Sequence, residues 1–196
     1  MRMYVFVFLL CALVAVGQSA KVDGPCPIKI TQIQTFDHQR YLGGWYDVYT
    51  GSNSYVRDCG SDSGCQATYY RAYDDDTHSF YLNYYFGSDY TGLCSFPIYT
   101  TDTDVDARLF YDTDFTSLYI LDTDYDSYAV EVGCSNDDGL THEERVFIRS
   151  RNTTISDELR DQLVEKVVDF GFAEPDLIAH NFTGCPDWHP GFWHKD

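Results

Sequence analysis

From residue 45 to residue 149 the chain divides into eight short runs rich in Tyr, Phe, Val, Ile and Thr. They are separated by clusters of Asp, Gly, Ser and Asn. β-Branched and aromatic side chains suit a pleated surface, and the intervening clusters are turn formers. The pattern predicts strands over 45–49, 65–73, 79–86, 94–100, 106–112, 117–121, 128–134 and 143–149. Eight consecutive strands with short turns fit an antiparallel up-and-down meander, and 17 Tyr and 13 Phe agree with an all-β chain.

One helix follows, over 157–170. Ser156 is placed to cap it, and Asp157 and Glu158 suit the positive end of its dipole. Leu159, Leu163, Val164, Val167 and Phe170 form one apolar stripe, and Gly171 is placed to end the helix. A helix after eight strands must bury that stripe against the outside of the sheet.

Residues 4–16 are an apolar run behind Arg2 and read as a secretory leader, cleaved after Gly17 or Ala20, so that 1–20 is a signal peptide. The run is too short to span a membrane comfortably, and no other segment suggests a crossing. Cys11 leaves with the leader. The six remaining cysteines are an even number, which in a secreted chain argues for three disulfides. Asn152 and Asn181 stand in glycosylation acceptor patterns.

The net charge is −18. Nucleic acid and anionic membrane surfaces are bound through Lys and Arg, so neither is an expected partner. The acid is spread through Asp-rich turns and serves solubility. The stretches Asp74–Asp76 and Asp102–Asp106 suggest calcium only superficially, because the second lacks the Gly and closing Glu of an EF-hand. No metal and no required cofactor are expected.

Three motifs carry more specific information. Gly43 and Trp45 form Gly-x-Trp at the first strand. Thr123-Asp124-Tyr125 lies between strands six and seven, and Arg151 follows strand eight. In this order and at these separations they resemble the three signature motifs of the lipocalin family, with Cys26-Pro27 and the later cysteines similar to its apolipoprotein D, bilin-binding and insecticyanin branch. The resemblance covers about residues 26–186 and leaves 187–196 as a tail. It implies an eight-stranded antiparallel barrel holding one small apolar ligand, with the C-terminal helix packed outside.

It also implies roles. Trp45 plugs the closed end, Arg151 lies across its indole, and the turn at 123–125 sits at that end. The branch pattern pairs Cys26 with Cys134 and Cys65 with Cys185, leaving Cys59 and Cys94 for a third bridge.

In a closed barrel alternate residues point inward. Strand three offers Phe80, Leu82, Tyr84 and Phe86 as its more apolar side. In strand two, alternation does not choose between Ala67, Tyr69, Arg71 and Thr68, Tyr70, Ala72. The resemblance places Ala67 and Tyr69 inside, and with them Leu109, Tyr111, Leu118, Ile120 and Phe147. Glu131 then also points inward, free to bond a ligand or to pair with Arg71 or Arg145. The bland alternative is an exposed carboxylate near the barrel mouth.

The leading reading is a secreted carrier of a small hydrophobic ligand, lipid or fatty-acid-like, and not an enzyme. Many inward Tyr would suit a flat conjugated ligand with polar ends, so a bound bilin or carotenoid is the sharper alternative. A protein-interaction or scavenging role with a filled barrel is the third. Prostaglandin isomerisation, known in some lipocalins, needs a free thiolate that an even cysteine count does not provide. His180, His189 and His194 could bind a metal, but a disordered aromatic tail is the expectation for the last residues. The sequence leaves the oligomeric state open.

Overall fold

The computed structural model describes residues 21–27, 36–52, 54, 65–73, 76–87, 90, 92–99, 107–111, 117–136 and 140–187. For 73, 76–86, 93, 96–99, 108–111 and 117 it describes the backbone alone. The expected leader, the far tail, Cys59, Asp102–Asp106, His189 and His194 lie outside these residues.

The eight expected strands are β2 (Gly43–Gly51), β3 (Ala67–Tyr73), β4 (Asp76–Phe86), β5 (Gly92–Tyr99), β6 (Arg108–Tyr111), β7 (Ser117–Thr123), β8 (Tyr128–Asn136) and β9 (Thr141–Ser150). Each pairs antiparallel with the next, and β9 returns to pair with β2. This last seam closes the meander into a barrel.

Two short strands extend the sheet. β1 (Val22–Asp23) pairs with Thr141 and His142 of β9, and β10 (Leu177–Ala179) pairs with Tyr49–Gly51 of β2. β2 thus meets β3 along Gly43–Tyr46 and β10 further on, with a bulge between Asp47 and Tyr49 on its β9 side. A four-residue helix, α1 (His38–Tyr41), precedes β2. Its N-cap Asp37 accepts a hydrogen bond from the Arg40 amide. These three elements are too short to show a period, which is why the sequence did not announce them.

α2 (Asp157–Phe170) matches the expected helix. The Ser156 side chain accepts from the Leu159 amide. Leu163, Val167 and Phe170 are buried against Val130, Val132, Val146 and Ile148 of the outer barrel wall, with Leu159 and Val164 at the margin. Burying each such side chain contributes roughly 1.5–3 kcal/mol, so the helix is held by its stripe more than by its propensity.

Gly171 ends α2 at φ +112°, and a Cβ there would meet Pro27 Cβ at 3.0 Å. Gly171→Ala is therefore expected to lower stability by about 1–2 kcal/mol from the left-handed backbone alone. Urea unfolding measures this. A neutral result would mean that the cap relaxes into another geometry.

Cys26–Cys134 and Cys65–Cys185 are both disulfides, as the family pattern implied. Cys94 is also disulfide-bonded. Its expected partner, Cys59, lies outside the described residues.

Candidate ligand-binding site

The closed end of the barrel is built from the three sequence motifs. Trp45 is fully buried, and the Arg151 guanidinium carbon sits 3.5 Å from its ring centroid. That cation–π contact is reinforced by donation from Arg151 Nη1 to Gly44 O (2.7 Å), from Nη2 to Leu42 O (3.2 Å) and from Nε to Tyr125 O (3.1 Å). One guanidinium therefore staples the start of β2, α1 and the β7–β8 turn.

The turn is fixed by its own side chains. Thr123 Oγ1 accepts from the Tyr125 amide at 2.9 Å, and Asp124 Oδ1 accepts from the amides of Asp126, Ser127 and Tyr128. Burial works to raise the Asp124 pKa, but the Ser127 hydroxyl and these amides outweigh it and hold the carboxyl below its ordinary value.

Tyrosines on this floor shift the other way. Burial first, then the Glu131 carboxylate, raises Tyr41 well above 10; burial and the Asp122 carboxylate push Tyr128 up to about 12. For an acid held protonated by the fold, the stability gained is complete below the unfolded value and drains as pH rises through the folded one. Melting temperature is accordingly expected to fall between pH 10 and about 12. Tyr128→Phe would blunt that fall; a profile identical to wild type would remove Tyr128 from the explanation.

Above Trp45, inside the barrel, lies a buried polar cluster. Arg149, 2% exposed, donates from Nε to Asp47 Oδ1 at 2.6 Å. Its Nη1 donates to Glu131 Oε2 and to the Tyr70 hydroxyl. Tyr70 donates to both Glu131 oxygens (2.8 and 2.9 Å), Tyr41 donates to Oε1, and Thr68 Oγ1 donates to Asp47 Oδ2 at 2.9 Å. Burial alone would lower the Arg149 pKa, but Glu131, Tyr70 and Asp47 more than reverse this and raise it. The guanidinium carbon also lies 5.0 Å from the Phe147 ring centroid and 5.6 Å from that of Tyr70.

The strand registers decide which expected residues share this interior. Trp45 pairs with Thr68, and Tyr46 with Ala67. Because Trp45 points in, Thr68, Tyr70 and Ala72 point in as well. Ala67 and Tyr69 instead belong to an outer cluster with Tyr46, Cys65, Tyr90 and Cys185. The expectation that Ala67 and Tyr69 face the cavity is thus corrected: it chose the wrong one of two phases that alternation left open.

Leu118, Ile120 and Phe147 are buried in the inner cluster with Trp45, Tyr70, Ala107 and Ala129. Phe80, Leu82 and Tyr84 pair with Ala72, Tyr70 and Thr68, and Leu109 pairs with Leu118, so these positions fall on the inner face by register. Tyr111 pairs with Ile98, which itself pairs with Phe80. Phe86, opposite Gly92, ends the same alternation.

Glu131 does point inward and is fully buried, so it is not an exposed mouth carboxylate. Its cation is Arg149 rather than Arg71, which is exposed, or Arg145, which contacts Glu143 at 3.8 Å. Three donors already occupy its oxygens. Arg149, Asp47 and Tyr41 were missed, although alternation from Phe147 and from Trp45 would have put Arg149 and Asp47 inside.

Among the described residues, no group of three His, Cys, Asp or Glu could hold a metal ion, and no helix is long and apolar enough to cross a membrane. His180 is engaged with Thr50 Oγ1 at 2.9 Å.

No protein-family model matches the chain. It is 25% identical over 197 residues to apolipoprotein D from Cavia porcellus, covering 95% of this chain and 98% of that protein. Lobster apocrustacyanin A1 superposes with a TM-score of 0.63 at 20% identity, over 82% of this chain and 89% of its own. Insecticyanin from the tobacco hornworm Manduca sexta does so with a TM-score of 0.62 at 18% identity, over 84% and 90%. A barrel closed between its first and last meander strands, the Trp45–Arg151 floor and this end-to-end likeness together give the chain the lipocalin fold and a resemblance along its whole length to apolipoprotein D.

Proposed function

We propose that the protein is a secreted carrier that holds one small hydrophobic molecule inside its barrel. The observation that carries this reading is the apolar inner wall of Leu118, Ile120, Ala129 and Phe147, standing over a floor sealed by Trp45. Phe80, Leu82, Tyr84, Phe86, Leu109 and Tyr111 are proposed to complete the same wall, a reading supported by the strand register. The leader-like residues 1–20 and the disulfides support export. The five described cysteines are all disulfide-bonded, so none of them supplies the thiolate that an isomerase of this family would need.

A bilin or carotenoid is the sharper form of the proposal. Tyr41 and Tyr70 favour it, since both are inward aromatic rings with a polar tip. Organic extraction and mass spectrometry of protein from its native source, after a visible spectrum, separate the two forms. A coloured protein yielding a tetrapyrrole or carotenoid selects the pigment form, and a colourless one yielding lipid selects the general carrier.

The carrier reading is also checked on the recombinant protein. Diphenylhexatriene, a fluorescent hydrocarbon, is expected to bind with one molecule per chain and to be displaced by the extracted ligand. Absence of both an extracted molecule and probe binding would leave a filled barrel and turn attention to protein partners.

A further inference from the structure

β9 carries Arg145 and Arg149, and the strand ladders put both on its inner face. Ile120, Glu131 and Phe147 stand side by side across β7, β8 and β9. One alternation further from the Trp45 end, Leu118, Gly133 and Arg145 do the same. Leu118, Ile120 and Phe147 belong to the inner cluster, so Arg145 points into the barrel with them. The residues between agree with this phase. Cys134 bridges to Cys26, and Glu144 accepts from the Ala173 amide, both on the outside of the wall.

The two arginines differ in what surrounds them. Arg149 is sealed in, with its charge committed to Asp47 and Glu131. Beside it the Tyr70 hydroxyl on β3 donates to Glu131 on β8. These two strands are not neighbours in the sheet, so the bond crosses the lumen and bridges it near the closed end. Arg145 lies four residues nearer the open end, about 13 Å along the strand. Its Nη2 meets Glu143 Oε2 at 3.8 Å, longer than a hydrogen bond, and its side chain stays 24% exposed although it points inward. Its partner position on β8 is Gly133, which has no side chain to fill the space beside it.

We propose that Arg145 is the head-group site of the carrier, pairing with the carboxylate of a ligand whose apolar tail runs over Leu118, Phe147 and Ile120 down to the Tyr70–Glu131 bridge. The inference rests on the carrier reading above. It adds the ligand's charge, its orientation and the residue that reads it.

A guanidinium has five donors and no acceptor, and it matches a carboxylate with two parallel hydrogen bonds. At Arg149 such a group would be taken fully out of water beside two buried acids. At Arg145 it keeps part of its hydration. The acid close by, Glu143, approaches one edge of the fork at long range, and a ligand carboxylate can take another. An amine would meet a like charge there and gain nothing.

Displacement of diphenylhexatriene from the disulfide-intact protein by laurate and by dodecanol, which share one chain length, tests this. Wild-type protein is expected to bind laurate at least as tightly as dodecanol, although a carboxylate is the costlier group to take from water. In Arg145→Gln laurate is expected to weaken about tenfold relative to dodecanol, the effect of one hydrogen-bonded charge pair. In Glu143→Gln, which removes the neighbouring like charge, laurate is expected to strengthen about threefold relative to dodecanol.

Three results would each overturn the proposal while leaving the carrier reading intact. They are laurate more than about tenfold weaker than dodecanol in the wild type, a laurate-to-dodecanol ratio that Arg145→Gln leaves unchanged, and a ratio that Glu143→Gln shifts against laurate. Failure of the hydrocarbon probe itself to bind would instead overturn the carrier reading, and this inference with it. The wild-type comparison stands even if a variant does not fold.

Discussion

Arg149→Met is expected to lower the stability of the fold by about 3–5 kcal/mol, the cost of breaking a buried pair from one side. The substitution keeps most of the side-chain volume but strands Asp47 and Glu131, both fully buried, without their cation. The Tyr41, Tyr70 and Thr68 hydroxyls remain as donors but carry no charge. Urea unfolding followed by tryptophan fluorescence measures the loss. Adding Glu131→Gln to Arg149→Met should recover part of it, because the two residues share one interaction and their effects do not add. Equal and additive losses would mean that the cluster is held by packing rather than by charge.

The second large effect is expected from Cys65→Ser with Cys185→Ser. This bridge joins residues 120 apart, and it ties the start of β3 to the segment after β10. Releasing a loop of that size gives the unfolded chain conformational freedom worth about 4–5 kcal/mol in the chain-entropy picture. The loss is expected in the unfolding free energy, with the DPH-binding interior retained at low temperature. A change below about 1 kcal/mol would place the effect in the native state and contradict the chain-entropy account.

The legible parts of the sequence were those with a period or a cap. α2 appeared in full because its stripe, Ser156 and Gly171 agree on both ends, and all eight meander strands appeared because their turns are chemically distinct from their walls. Strand phase was legible only where one side was plainly more apolar, as in β4. In β3 both sides carry tyrosine and alanine. The outer side is apolar too, because Ala67 and Tyr69 pack beneath the Cys65–Cys185 bridge rather than facing water. Hydrophobicity cannot choose when both faces are covered.

The buried charges were hidden for a related reason. An Asp at position 47 and an Arg at position 149 look like surface residues until the β2–β9 register sets them side by side. Tyr41 gave no signal at all, since it reaches Glu131 from a helix of four residues.

That same register has a consequence during synthesis. Asp47 and Arg149 are 102 residues apart, so the seam cannot form until nearly the whole barrel sequence has been made. At about 5–20 residues per second, the first strand waits roughly 5–20 seconds for the last. Through that interval Asp47 lacks Arg149, its native partner, and a compact arrangement that closes early buries its charge without that ion pair. Premature closure is thereby disfavoured while hydration of the open sheet is not.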